Sequence, residues 1–276
     1  MTSFEEETEA WHRARTDRLR SPDGWLALVA KAFLEPGMSL TVGADASCDV
    51  RLPVGPALVG RIARDDAGIV ATLEPGVATL AGAPVEGALR LRTDASPSPD
   101  RLQIGAMRLD VMERGDAMAI RVRDPEAPAR VGLGRIDRFP VDVAYRVTAR
   151  FVAEPERREL VDFGSGIADE MVSPGHLEVT LGAERFTLRA LYEDAERKRL
   201  YVLFRDGTSG HESYGLGRFV YAPLPDASGQ VVVDFNRAML PGCAFNDLAT
   251  CPIPAKENRI ATRITAGEKS YAPTGA

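Results

Sequence analysis

Between Trp25 and about Asp124 the chain keeps cutting its apolar runs short. Ser39–Val42, Val50–Leu52, Gly68–Leu73, Val77–Leu80, Ala88–Arg92, Met107–Met112 and Met118–Val122 are β-favouring stretches separated by Gly, Pro and Asp. Runs this short cannot bury a helical face, and turn signals every eight to twelve residues predict an all-β sandwich. Trp25–Leu34 is apolar almost throughout, and its periodicity does not decide between a strand and a helix.

The second half carries longer runs: Val141–Phe151, His176–Leu181, Arg185–Tyr192, Leu200–Arg205, Arg218–Tyr221 and Val231–Phe235. From Arg185 to Leu191 apolar and polar residues alternate strictly, as in a strand covered on one face. Glu193–Lys198 and Asp226-Ala227-Ser228-Gly229 read as polar hairpin connections. This half is predicted to be an antiparallel meander or barrel.

Ahead of both lies a predicted helix over residues 3–20. Ser3 and Glu6 fit a capping box, and Arg13, Arg15, Arg18 and Arg20 follow the acids of the first turn. Phe4, Thr8, Trp11, Arg15 and Leu19 form a narrow face suited to docking on a body. With a break at Asp124–Pro128, the expected organisation is a docking helix (1–20), a β-sandwich (21–125) and a C-terminal antiparallel β domain (126–276).

Composition excludes several classes. With 45% hydrophobic and 27% charged residues, the chain is neither disordered nor collagen-like. Its net charge of −6 opposes a phosphate backbone, so no nucleic-acid partner is expected. No stretch of about 18 apolar residues occurs, and the acidic N-terminus lacks a secretory signal's apolar core. Cys48, Cys243 and Cys251 are too few for a disulfide framework, and a cytoplasmic location is expected. No P-loop, nucleophile elbow, HExxH or complete dinucleotide fingerprint is present, so no cofactor and no metal are expected; Gly215-Leu216-Gly217 precedes a strand, not a helix. Gly164-Ser165-Gly166 is read as a flexible turn.

Function is expected where regularity ends. The segment 236–258 is punctuated by Pro241, Pro252 and Pro254, and irregular loops beyond about 12–15 residues are uncommon in compact domains. Met239, Phe245, Leu248 and Ile253 predict that it packs across the sheet. Arg218 and Arg237, at strand ends, suggest a bidentate clamp for a carboxylate or phosphate, with Tyr214, Asn236 and Asn258 adding neutral hydrogen bonds. The competing reading has Arg237 pair with Asp234 or Glu257, while the two asparagines satisfy loop backbone. Cys243 and Cys251, with seven residues between them, are either small apolar packing residues, a disulfide, a thiol centre served by His211, or half of a zinc site completed by His176 and His211. The preferred reading is a small-molecule binding module for an anionic or polar ligand. Its alternatives are an enzyme using Cys243 or Cys251 or hydrolysis assisted by His211, and a phosphate-independent interaction scaffold.

Two resemblances add to this. Gly43–Leu52, Ala81-Gly82-Ala83-Pro84-Val85, Leu102–Gly105 and Leu109-Asp110-Val111 resemble forkhead-associated domains, which implies a β-sandwich that in that family binds phosphothreonine peptides. Ala44 stands where that family has Arg, and 56–61 lacks its Ser-x-x-His, so the phosphate contacts do not carry over. Tyr214–Phe219, Asp234–Ala238, Cys243-Ala244-Phe245, Thr250–Pro254, Glu257-Asn258 and Ala266-Gly267-Glu268 are similar to an uncharacterised bacterial family, domain of unknown function sixteen-eighty-four. That likeness implies candidate positions and no established activity.

Overall fold

The computed structural model describes residues 3–164 and 167–274; Ser165 and Gly166 of the predicted turn lie outside the described residues. The protein is mainly β, 49% strand against 13% helix, in sheets that nearly close on themselves. It divides into two compact units, residues 18–133 and residues 1–17 with 134–276. Among the described residues, no helix is long and apolar enough to cross a membrane.

Helix α1 (Phe4–Leu19) begins as its capping box dictates. The Glu6 amide donates to Ser3 Oγ at 3.2 Å, and the Ser3 amide donates to Glu6 Oε2 at 2.8 Å. Thr8, His12 and Leu19 are its buried positions, so His12, absent from the expected face, belongs to it.

The 18–133 unit holds β1 (Leu28–Phe33), β2 (Ser39–Gly43), β3 (Val50–Arg51), β4 (Gly60–Asp65), β5 (Gly68–Leu80), β6 (Ala83–Leu91), β7 (Arg101–Ile104), β8 (Met107–Arg114) and β9 (Ala117–Arg123), then the short helix α2 (Pro128–Val131). Trp25–Leu34 resolves its ambiguity by being both: a 3-10 turn over Trp25–Ala27 runs into β1. The strands order as β1-β9-β8-β7-β5-β4-β2-β3, with β6 on β5. Val77–Leu80, expected as a separate strand, continues β5; Glu74–Gly76 bulges, and the register shifts between Leu73 and Ala78. Leu52, Ile62, Ile69, Leu102, Ile104, Leu109 and Ile120 lie within its core.

The second unit holds β10 (Arg135–Arg138), β11 (Arg146–Asp162), β12 (Ala168–Leu181), β13 (Glu184–Tyr192), β14 (Arg199–Phe204), β15 (Arg218–Pro223), β16 (Gln230–Asp234) and β17 (Glu268–Ala272). Its main sheet runs β15-β14-β13-β12-β11-β16, the antiparallel meander expected, while β10 pairs with β17. Pro155 sits in a register shift between Ala153 and Arg157, where a missing N–H breaks no ladder bond. Leu177, Leu188, Val202, Phe204, Val220, Val233 and Phe235 fill the interior.

Helix α1 docks on this unit through polar anchors. His12 Nε2 lies 2.9 Å from the Asn236 carbonyl, Arg15 donates to the Leu240 carbonyl at 3.2 Å, and Arg138 pairs with Glu9 at 3.0 Å. Arg15 also stands 3.5 Å from Glu268.

Candidate functional site

The residues singled out in sequence fall into two groups, one spent on holding the fold and one gathered around sulfur. Arg218 belongs to the first. Its side chain has no exposure, because β15 turns it inward directly after Gly217. Gly217 has φ +97°, and a Cβ there would lie 2.4 Å from the Phe204 carbonyl.

Arg218 Nη1 donates to the Ala266 and Glu268 carbonyls at 2.5 and 3.2 Å. Nη2 donates to the Ile264 carbonyl at 2.8 Å and to Asp206 Oδ1 at 3.2 Å. Three alternate carbonyls of the C-terminal segment therefore converge on one guanidinium. The Phe139 and Phe204 rings stand 5.5 and 5.4 Å away. Burial lowers the Arg218 pKa, and the Asp206 charge opposes that shift. Asp206 in turn accepts the Ile264 amide at 2.8 Å and the Thr208 hydroxyl. With no exposed side-chain atom, Arg218 offers a ligand no access, although its Nε–H is buried without an acceptor.

Asn236 and Asn258 are committed in the same way. Asn236 exchanges hydrogen bonds with the Asp142 backbone, accepting at 3.0 Å and donating at 2.9 Å, and it donates to Asp234 Oδ1 at 3.0 Å. Asn258 accepts the Arg189 amide at 2.6 Å and donates to the Arg189 and Leu203 carbonyls at 3.0 and 2.7 Å. Arg237 pairs with Glu7 of α1 and with Asp234 at 3.4 Å, beneath the Trp11 ring. Glu257, its other expected partner, pairs with Arg189 and Arg157. Among the described residues Arg218 and Arg237 share no partner: Arg218 pairs with Asp206, and Arg237 with Glu7 and Asp234.

The strap from Asn236 to Asn258 is ordered and fastened at both ends. Met239 and Phe219 exchange backbone hydrogen bonds at 2.8 and 3.0 Å on β15, and the Asn258 carbonyl accepts the Arg205 amide at 3.0 Å. Between those points Leu240, Phe245, Ala249 and Cys251 are buried. Beneath it lies an aromatic layer, with Tyr201, Phe219 and Tyr221 ring centres 5.3–5.5 Å apart.

Cys243, Cys251 and Tyr214 form the second group. A 3-10 turn over Gly242–Ala244 places Cys243 in its middle, and the Cys243 amide donates to the Cys251 sulfur at 2.8 Å. Tyr214 is held by its own amide, which donates to the Lys269 carbonyl at 2.8 Å. Around Cys243 stand the Cys251 sulfur, the Tyr214 hydroxyl and the backbone amides of the turn, which favour its thiolate. With the Cys251 contact largest, they bring its pKa down to about 7 against the burial that opposes them. Burial, together with the bond to Cys243, raises the Tyr214 phenol well above its ordinary range, so it stays a donor. Cys243 is partly exposed and Cys251 buried, and neither is joined in a disulfide.

The histidines do not join them. His211 is exposed on the 206–213 turn, and His176 Nδ1 is bonded to Glu154 at 2.6 Å. Among the described residues no cluster of three or more His, Cys, Asp or Glu has metal-binding geometry, so a zinc site recruiting both histidines does not assemble.

Residues 132–269, half the chain, match the model of a family described as "Protein of unknown function (DUF1684)". The chain belongs to this family. The DUF1684 region takes in Arg218, the strap and both clustered cysteines, and leaves α1 and most of the 18–133 unit outside it. An uncharacterized protein of Haloarcula marismortui, solved by NMR in solution, is 29% identical to this chain. The match covers 53% of this chain and 83% of that one, with a TM-score of 0.43. No curated protein matches.

The sequence left Asp206 and Glu268 unassigned, although both organise the site's surroundings. Glu268 is 1% exposed and accepts the Leu240 amide at 2.7 Å, which ties the strap to β17. Burial raises its pKa, opposed by Arg15. The Asp-Gly-Thr turn at 206–208 was the one local signal available, since Asp favours bonding the backbone two residues on.

Proposed function

We propose that this DUF1684 protein carries a thiol centre on its strap, with Cys243 as the reacting sulfur, Cys251 as the resolving thiol and Tyr214 as the positioning donor. The reaction class is thiol–disulfide exchange with a small disulfide. The observation that carries the proposal is the convergence of two thiols and a phenol hydroxyl in a chain with only three cysteines.

The Cys243 thiolate attacks one substrate sulfur, forming a mixed disulfide and expelling the other half as thiolate. Cys251, losing its proton, then attacks Cys243 sulfur. This closes a Cys243–Cys251 disulfide and releases the second half as a thiol. One substrate disulfide becomes two thiols while the protein dithiol becomes a disulfide. A reducing compartment such as the cytoplasm would return the centre to its dithiol form.

Ligand binding by the same centre narrows to Tyr214, Cys243 and Cys251, because Arg218, Asn236 and Asn258 are committed to the chain's own backbone. For residues 18–133 we keep the forkhead-associated-like reading without the phosphothreonine function. It is supported by the all-strand sheet of that unit, and the loss of the phosphate contacts by Ala44 at the family's Arg position.

Iodoacetamide alkylation followed against pH is the test. Cys243 is expected to react with a midpoint near pH 7. Tyr214→Phe and Cys251→Ala are expected to move that midpoint toward the ordinary thiol value of about 8.5. Treatment with a small disulfide should yield the 243–251 disulfide by peptide mapping. A Cys243 that alkylates only with the ordinary midpoint, or a mixed disulfide that Cys251 never resolves, refutes the proposal.

A further inference from the structure

Away from the thiols, the 18–133 unit carries a charged cleft that the sequence reading did not anticipate. Antiparallel register builds it: Arg101 lies opposite Asp110, Asp110 opposite Arg121, and Arg108 opposite Arg123. Directly opposed residues share a face, so β7, β8 and β9 raise these side chains together. The intervening residues Leu102, Leu109, Val111, Ile120 and Val122 point into the core. Asp23, Asp94 and Pro99 complete the wall around a cavity of about 130 Å³.

The charges in this cleft do not balance. Four guanidinium groups face three carboxylates. Asp110 holds Arg121 and Arg123, the latter at 2.6 Å; Asp94 holds Arg121 at 3.0 Å; Asp23 holds Arg108. Among the described residues Arg101 makes no ion pair, and it is exposed. Two further donors go unmet: the Nε–H groups of Arg121 and Arg123 are buried without an acceptor, and Arg121 is only 8% exposed. The Nε–H groups of Arg130, Arg189, Arg218 and Arg237 are buried in the same way, so these two belong to the packed wall of the cleft and Arg101 is its open cation. Burial lowers the Arg123 pKa, in keeping with a guanidinium held out of water.

We propose that this cleft binds a small oxyanion, a phosphate, sulfate or short dicarboxylate, with Arg101 as the contacting cation against a wall of ion-paired Arg108, Arg121 and Arg123. Excess positive charge selects an anion over a metal ion. Guanidinium forks match the paired oxygens of phosphate and carboxylate groups. The cavity has room for such an ion.

Calorimetric titration of the full chain with inorganic phosphate, sulfate and succinate, against chloride at matched ionic strength, tests the proposal. One of the oxyanions should bind saturably at one site per chain while chloride does not. Preference for phosphate assigns a phosphoryl ligand, and preference for succinate a carboxylate; both support the site. Arg101→Glu should weaken binding at least about tenfold, and Arg101→Gln, which sets no like charge opposite Asp110, should weaken it without moving the thermal midpoint. In the wild-type chain, the Nε–H resonance of Arg101 should shift along the titration. Cys243→Ala should bind as the wild type does, which separates this site from the thiol centre. Absence of saturable binding, binding that Arg101→Glu leaves intact, or a static Nε–H signal overturns the proposal.

Discussion

A buried guanidinium must find acceptors for its donors or lose several kilocalories of solvation, and Arg218 finds them in Asp206 and in the carbonyls of Ile264, Ala266 and Glu268. Arg218→Met is expected to leave the Asp206 charge uncompensated. It should cost about 3–5 kcal/mol, read as a fall in the urea midpoint at unchanged slope. His12 makes a second prediction. Burial first, then the neighbouring Arg138 charge, brings its pKa from 6.5 to about 4. The unfolded chain therefore binds a proton at a higher pH than the folded one does. This contribution to stability is complete above pH 6.5, falls as pH drops toward 4, and amounts to about 3 kcal/mol. His12→Gln should flatten that part of the stability profile in urea titrations between pH 7 and 4. Sequence flagged Arg218 as unusual and missed its use, because its acceptors lie 46–50 residues downstream and nothing local to an arginine names its partner. Cys243 and Cys251 were legible as a pair for the opposite reason: they share one short loop.

Among the elements, the strap depends on Asn258 most directly. It seals the Arg189 and Leu203 backbone with three hydrogen bonds, so Asn258→Ala should cost about 3 kcal/mol in chemical denaturation and expose the strap to limited proteolysis. At the opposite end of the chain, Ser3→Ala removes one cap of α1 and should cost about 1 kcal/mol, seen as a lowered thermal midpoint. The strands were readable wherever period-two alternation met a Gly or Asp turn, as at Arg185–Tyr192. They were misread where β5 passes through the Glu74–Gly76 bulge, since Pro-Gly in a strand and Pro-Gly in a turn are the same letters. The strap's irregularity was plain from its prolines. Its fastening was not, because Met239 meets Phe219 and Asn258 meets Arg205 only once the sheet exists.

At the scale of the molecule, residues 18–133 are one continuous stretch with their own core, whereas the other unit is assembled from two separated pieces. Residues 18–133 expressed alone should therefore give a dispersed amide spectrum. Deleting residues 1–17 from the full chain should strip partners from Arg237, Arg138 and Glu268 and lower the stability of the 134–276 portion. Sequence pattern yielded the mainly β character of both halves, because alternation is a local property. It could not yield the docking partner of α1, because that rests on contacts more than 200 residues apart, such as His12 with Asn236. Synthesis meets the same gap in time. The first helix leaves the ribosome long before Asn236, Leu240 and Glu268 do, while the middle unit has every residue it needs and is free to fold at once. A message cut short between the codons for Leu133 and Asn236 would yield a chain with a finished middle unit and a leading helix without its docking partners, its Trp11 and His12 open to chaperones and proteases as a mark of incompleteness.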